Sequence, residues 1–248
     1  MAHRNEILNF INEYLNISEF EDYCVNGLQV EGKENINRIV FGVSVSQRLF
    51  HETAKINGDM IIVHHGLFWK SDPIPFSLTG ILKKRLELLI KNDINLAVYH
   101  LPLDAHSEVG NNAQIMKKLE INNFQQVDLG FLGKLNSKTH RDEFIKIVNS
   151  KIGTTAQLFP FGPEKIQHVL AVSGGSSSMY QLAVQNNADI FIGGDIKENI
   201  VRELEEVGLN YINAGHYNSE KLGVRALSQI VRDKFDVICD YIDIPNPV

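Results

Sequence analysis

Cysteine is nearly absent: the 248-residue chain has two, Cys24 and Cys239, far apart and in no C-x-x-C spacing. That excludes a disulfide scaffold and a thiolate zinc site, and reads as two buried, reduced thiols. No apolar run approaches the ~18 residues of a membrane-spanning helix. Met1 leads into an amphipathic segment without the apolar core or small-residue cleavage site of a secretory leader, so a soluble, cytoplasmic protein with no membrane partner is expected. Basic residues are in deficit: 24 Lys+Arg against 30 Asp+Glu gives a net charge of −6, with no stripe that would track phosphates. Nucleic acid is thereby disfavoured as the primary partner. A hydrophobic content of 44% with 22% charged residues excludes disorder as the main theme. The length allows one large domain or two small, intimately joined ones.

Hydrophobic periodicity alternates between helix and strand. An apolar face at Ile7, Leu8, Ile11 and Leu15 predicts a helix over 4–15, and Asn26-Gly27 marks a turn before a short strand at 28–30. A regular β-α-β-α-β stretch follows, with strands at 38–45, 59–64 and 95–100 and helices at 47–57 and 82–91. The same order returns at 166–216 as IQHVLAVS, a GGSSS turn, MYQLAVQNN, ADIFIGG, KENIVRELEEVG and LNYINAGH. INGDMIIVHHG (56–66) matches NNADIFIGGD (186–195) in its acid-plus-apolar pattern, and INLAVYH (94–100) matches LNYINAGH, which reads as an internal duplication. Between the halves, strands at 126–135 and 157–161 flank a helix at 141–151 with Thr139 as its N-cap, and a last strand spans 236–244. The expected architecture is α/β, two similar domains related by duplication with a metal site at the strand carboxyl ends between them: residues 1–125 with 220–248, and residues 126–219.

In parallel α/β units, ligands gather beyond the carboxyl ends of the strands. Four groups fall there: His64-His65, Asp104 beyond the strand ending at His100, Asp195, and His216. One strand-end histidine is most often structural, but several imidazoles and carboxylates brought to one rim by the same topology point to a metal site. His216 and Glu220, four apart, come near one face of a helix that starts at about Asn218 or slightly earlier, both within reach of one ion. The His64-His65 doublet before Gly66 suits two ions better than one, and mixed imidazole and carboxylate donors suit zinc, manganese or iron. Two such ions would activate water and clamp an oxygen-rich substrate, the logic of metal-assisted hydrolysis. The GGSSS turn has two readings, a phosphate cradle or a tight β-α turn, and matches neither the P-loop nor the dinucleotide fingerprint. Asp195 also has two: an acceptor that orients a ligand histidine, or a helix N-cap before Lys197. His100 and His106, beside Asp104, are candidate substrate-facing acid–base groups, whereas His3, His51, His140 and His168 fit ordinary surface or core positions.

Taken together, NGLQVEG (26–32), IIVHHGLFW (61–69), YHLPLDAHSEVGNNAQ (99–114), GGDI (193–196), AGHYNSEKLGVRAL (214–227) and IDIPNPV (242–248) resemble the GTP cyclohydrolase 1 type 2 homolog family, the NIF-three-like dinuclear metal proteins. The likeness runs over essentially the whole chain, in the short form without the domain that longer relatives insert between the halves. It implies two similar α/β domains in a toroidal homohexamer, with two divalent ions per chain facing an internal cavity. Carried over by motif, His65 and Asp104 bind one ion, His64 and His216 the other, and Glu220 bridges them.

The activity that the resemblance implies is hydrolysis of a nucleotide, opening the guanine imidazole ring of GTP with release of formate. His100 or a metal-bound water would move protons. A phosphoesterase is the enzymatic alternative, since two metals would serve it equally. The other class is non-catalytic: a metal-binding or metal-insertion protein, or a ring-shaped partner for proteins or DNA. Formate reports ring opening, inorganic phosphate reports ester cleavage, and metal transfer to an apo-acceptor without turnover reports the last class.

Overall fold

The computed structural model of the chain describes residues 1–72 and 77–248. The chain divides into two units, residues 1–103 with 224–245 and residues 104–223 with 246–248, so that residues 104–125 count with the second unit.

In the first unit, β1 (Ala2–His3), α1 (Arg4–Tyr14), β2 (Gly27–Val30) and β3 (Asn35–Ile36) precede the regular stretch β4 (Arg38–Ser44), α2 (Gln47–Lys55), β5 (Met60–His65), α3 (Gly80–Lys91) and β6 (Asn95–Val98). The sheet order is β13-β4-β5-β6-β2, where β13 is Ile238–Tyr241. β13, β4, β5 and β6 run parallel, and β2 closes the edge antiparallel to β6. The three central strands are apolar without alternation, as a parallel sheet covered on both faces requires. Val40, Ile61, Val63, Leu96 and Val98 pack with Leu49 and Phe50 of α2 and Leu86 and Leu89 of α3. The side chain of Ser46 starts α2 by accepting from the Leu49 N–H.

The second unit begins inside α4 (Leu101–Ala105) and continues with α5 (Asn111–Lys118), β7 (Phe124–Val127), β8 (Gly130–His140) and α6 (Arg141–Val148). A π turn at Asn149–Gly153 ends α6. Then come β9 (Gln157–Pro160), β10 (Lys165–Ala171), α7 (Tyr180–Gln185), β11 (Ile190–Gly193), α8 (Glu198–Val207), β12 (Asn210–Asn213) and α9 (His216–Lys234), whose later turns belong to the first unit. The sheet order is β7-β8-β10-β11-β12-β9, with β10, β11 and β12 parallel. Two local expectations change. The single strand expected at 126–135 is a hairpin, because Asp128, at φ 53°, reverses the chain between β7 and β8. The N-cap of α6 is His140, whose ring accepts from the Asp142 N–H, and not Thr139.

The duplication is visible in the hydrogen bonds as well as in the topology. Each sheet contains a run of three parallel strands with an antiparallel strand beyond the third, β4-β5-β6-β2 and β10-β11-β12-β9. In the first unit Asp59 accepts from the Asn37 and Arg38 N–H groups, and Asn95 donates to the Lys33 and Asp59 carbonyls while accepting from the Gly32 N–H. Arg4 donates to the Gly32 carbonyl at 2.8 Å. In the second unit Asp189 accepts from the Gln167 and His168 N–H groups, and Asn210 donates to the Pro163 and Asp189 carbonyls while accepting from the Gly162 N–H. Arg141 donates to the Gly162 carbonyl at 2.6 Å. Both glycines are required, since a Cβ at Gly32 or Gly162 would meet main-chain atoms at 2.6 and 2.8 Å. Among the described residues, no helix is long and apolar enough to cross a membrane.

Candidate metal centre

β5 carries His64 and His65 at its carboxyl end, and the chain turns at once at Gly66. A Cβ on Gly66 would strike Val98 at 2.5 Å and the Gln29 amide at 2.6 Å, so glycine lets the turn lie against β6. Gln29 locks that turn, its amide oxygen accepting from the Leu67 and Phe68 N–H groups at 2.7 and 3.1 Å. His100 follows β6, its N–H donated to Asn26 at 2.7 Å. The three imidazoles form one cluster in the first unit: ring centroids lie 4.6 Å apart for His64 and His65, 4.9 Å for His64 and His100, and 5.6 Å for His65 and His100. One ring nitrogen from each falls within 4.8 Å of the others. Trp69 and Tyr23 wall the cluster, with ring centroids 5.2 and 5.0 Å from that of His100.

Every Nδ1 in this cluster is already committed. His64 Nδ1 donates to the Tyr99 carbonyl at 2.9 Å, His65 Nδ1 pairs with the Ser44 hydroxyl at 2.9 Å, and His100 Nδ1 lies 2.9 Å from an Asp22 carboxylate oxygen. A carbonyl and a carboxylate only accept, so His64 and His100 carry a proton on Nδ1, and in the neutral imidazole the lone pair is then on Nε2. Anchoring the distal ring nitrogen on a carbonyl, hydroxyl or carboxylate is how metal-ligating histidines are oriented. Asp22 was not singled out in the sequence. It is buried and accepts also from the Cys24 N–H, the Leu101 N–H and the Asn26 amide. Burial pushes its carboxyl up, but the bonds from His100, Cys24 and Asn26 together outweigh that and hold it down at about 2.

The second unit presents two carboxylates and an imidazole, Asp104 from α4, which follows β6, and His216 and Glu220 from α9, which follows β12. Asp104, buried in α4, accepts on one oxygen from the Asn111 amide at 2.8 Å and the Ser173 hydroxyl at 2.9 Å. Asn111 is held in turn by the Gly223 N–H, and the Ser173 N–H by Asn112. α9 starts at His216, so Glu220 lies one turn on, and the His216 Nε2 and Glu220 Oε2 atoms are 3.0 Å apart. Gly174 backs this pair at φ +64°, where a Cβ would sit 2.1 Å from Glu220 Oε1 and 3.4 Å from His216 Nε2.

The structure bears on the two open readings nearby. In the GGSSS segment, the Gly174 N–H is donated to the Ser219 hydroxyl, the Ser176 N–H to the Gly174 carbonyl, and the Ser177 N–H to Asp195. Those three amides are spent within the protein, as in a tight β-α turn. Asp195 therefore neither orients a histidine nor caps α8, whose N-cap is Lys197. His106 is a turn-former whose Nδ1 accepts from the Glu108 and Val109 N–H groups at 3.2 Å. His3 caps α1 as His140 caps α6, and both cysteines are free and buried, with thiols pushed up to about 12 and about 11, chiefly by burial.

The first unit offers three anchored imidazoles, and the second an imidazole and two buried carboxylates, donor types that suit zinc, manganese or iron better than magnesium or calcium. The family model for Duf34/NIF3 (NGG1p interacting factor 3) matches residues 2–247. The GTP cyclohydrolase 1 type 2 homolog of Escherichia coli (strain K12) is 40% identical over 245 residues, 98% of this chain and 98% of the relative. Its counterpart from Archaeoglobus fulgidus is 37% identical over 247 residues, 97% of this chain and 98% of the relative. A solved structure described as protein ybgI, of unknown function, is 38% identical and superposes with a TM-score of 0.95 over 100% of both chains. With the family pattern matched nearly end to end and relatives of this identity covering the same length, the chain belongs to the Duf34/NIF3 family.

Proposed function

We propose that the chain is a dinuclear, divalent-metal-dependent hydrolase that opens the guanine ring of GTP, with C8 leaving as formate. In this reading His65 and Asp104 hold one ion, His64 and His216 the other, and Glu220 bridges them. The observation that carries it is the anchoring of the histidine cluster through Nδ1, which in the neutral imidazoles of His64 and His100 leaves the Nε2 lone pair for an electrophile. The names of the relatives support the substrate. Two bound ions would lower the pKa of water and polarise a substrate oxygen.

The chain's own groups supply the rest. His100 takes and returns the proton at Nε2, while Asp22 holds the opposite nitrogen and stabilises the imidazolium. Trp69 and Tyr23 keep bulk water from the imidazole faces and so strengthen the field between the donors. Asn111 and Ser173 fix the Asp104 carboxylate, so that it pays no reorganisation when it binds. The active form in this reading is a cytoplasmic homohexamer, which light scattering would register as six times the 28.0 kDa chain.

Formate release from GTP, measured on protein loaded in turn with zinc, manganese and iron, tests the reading. Turnover in loaded wild type, with metal content and turnover both lost in Glu220→Ala, is the expected result. Release of inorganic phosphate in place of formate would make the protein a phosphoesterase. Silence toward every nucleotide, in protein carrying two ions per chain, would sink the hydrolase reading and favour a metal-transfer role.

A further inference from the structure

The second unit contains a cavity of about 490 Å³ that none of the metal-ligand residues lines. It opens at the carboxyl ends of β11 and β12, where Gly194 and Asp195 leave the first strand and Asn213 ends the second. Gly215 and Asn218 also line it, and they flank His216 in the sequence. Its chemistry is uneven. The lining contains no lysine, arginine or histidine and one acidic side chain, so a phosphate would meet repulsion and no counter-charge.

Asp195 is held from two sides. Its Oδ1 accepts from the Ser177 N–H at 3.0 Å and its main-chain oxygen from the Tyr211 hydroxyl at 2.6 Å, which leaves Oδ2 as the acceptor for a ligand. Asn213 and Asn246 have their amide oxygens engaged, by the Gly215 N–H at 3.0 Å and the Val248 N–H at 3.2 Å. That assigns each amide its orientation and leaves the NH2 groups as donors. A fixed carboxylate acceptor beside amide donors complements a ring edge that carries an N–H next to a carbonyl. Guanine and hypoxanthine have such a lactam edge; adenine has none.

We propose that this cavity is a subsite for the lactam edge of a nucleobase, which is the uncharged end of the substrate and lies beside His216. The assignment rests on the reading of His216 and Glu220 as metal ligands, and its test is built to fail separately from that reading. Guanosine, inosine and adenosine are titrated calorimetrically into the full-length, metal-free protein; none carries a phosphate that could report on the metal centre. Guanosine and inosine are expected to bind, and adenosine to bind at least about tenfold more weakly, the cost of leaving a charged acceptor unpaired. Asp195→Asn keeps an oxygen for the Ser177 N–H and replaces the other with a donor, so it should weaken guanosine roughly tenfold without lowering the thermal midpoint. Asn213→Asp, which turns a donor into an acceptor, should do the same by the opposite change.

Equal binding of guanosine and adenosine, or guanosine binding unchanged in both variants, overturns the subsite. No guanosine binding by protein that takes up two ions and releases formate overturns the subsite and leaves the metal reading intact. Guanosine binding that is lost in Asp195→Asn, by protein that takes up no metal, supports the subsite and rejects the metal reading.

Discussion

Replacing Asp22 by Asn should destabilise the first unit, and by an amount that depends on pH. The buried carboxylate accepts four hydrogen bonds, from His100, Cys24, Asn26 and Leu101, at 2.8 to 2.9 Å. An amide supplies one oxygen, and its NH2 then faces two donors that lose their acceptor. At about 1–3 kcal/mol for each buried group left unsatisfied, the cost at neutral pH is about 2–6 kcal/mol. The carboxyl is held down from its ordinary 3.8 to about 2, and at about 1.4 kcal/mol per pH unit the ionised form contributes about 2 kcal/mol of that. Because the folded-state value is depressed, this share is fully present above about pH 4 and is lost as pH falls toward 2. Trp69, the one tryptophan, has its ring 5.2 Å from that of His100, so urea unfolding followed by its fluorescence reads this region directly. The wild type should exceed Asp22→Asn in stability at pH 7, with the gap narrowing by about 2 kcal/mol between pH 5 and pH 2. A gap under about 0.5 kcal/mol at pH 7, within the range of an ordinary surface change, would refute the reasoning. So would a gap that does not change with pH.

Two further substitutions follow from particular contacts. Gly174→Ala places a methyl 2.1 Å from Glu220 Oε1 at φ +64°, so the turn should lose about 1–3 kcal/mol and the protein should bind less metal, read by thermal unfolding and elemental analysis; a variant with unaltered metal content would show that Glu220 is not held as described. Asn95→Ala and Asn210→Ala each remove an amide that ties three backbone groups together, and each should cost about 2–4 kcal/mol in chemical denaturation. If one is costly and the other neutral, the two frameworks are not equivalent.

The regular strands and helices were legible because buried parallel strands are apolar throughout and their covering helices carry a clear face. Boundaries moved where a single residue decides them, as with Asp128 at φ 53° in the β7-β8 hairpin and the His140 ring at the start of α6. The donors were legible because strand ends are where side chains of a parallel sheet converge on ligands. Their supports were not. Asp22, Ser44, Asn111 and Ser173 belong to no spacing pattern, and each reaches its histidine or carboxylate only after the chain has folded. A signal did exist for the second half of the repeat: His3-Arg4-Asn5-Glu6 and His140-Arg141-Asp142-Glu143 are near copies, and both arginines close the same glycine contact. This polar match is more specific than the likeness of the apolar strands, where chance similarity is greatest.

The repeat is best preserved at one end of each sheet and least at the other, and this separates two kinds of selection on one fold. Asp59 and Asp189 hold the N–H groups at the starts of β4 and β10, and Asn95 and Asn210 are the first residues of β6 and β12. These residues organise the amino ends of the strands, where no ligand donor stands, so any change there costs stability in either copy. At the carboxyl ends the copies have diverged: His64-His65-Gly66 in the first corresponds to Gly194-Asp195-Ile196 in the second, and His100, with its Asp22 partner, to Gly215, one residue before His216 at the head of α9. A duplicated sheet offers two equivalent rims, and the donors that each acquired differ in kind: anchored imidazoles after β5 and β6 of the first, and the His216 imidazole with the Glu220 carboxylate on α9 after β12 of the second, so the rims answer to selection for chemistry while the amino ends answer to selection for stability.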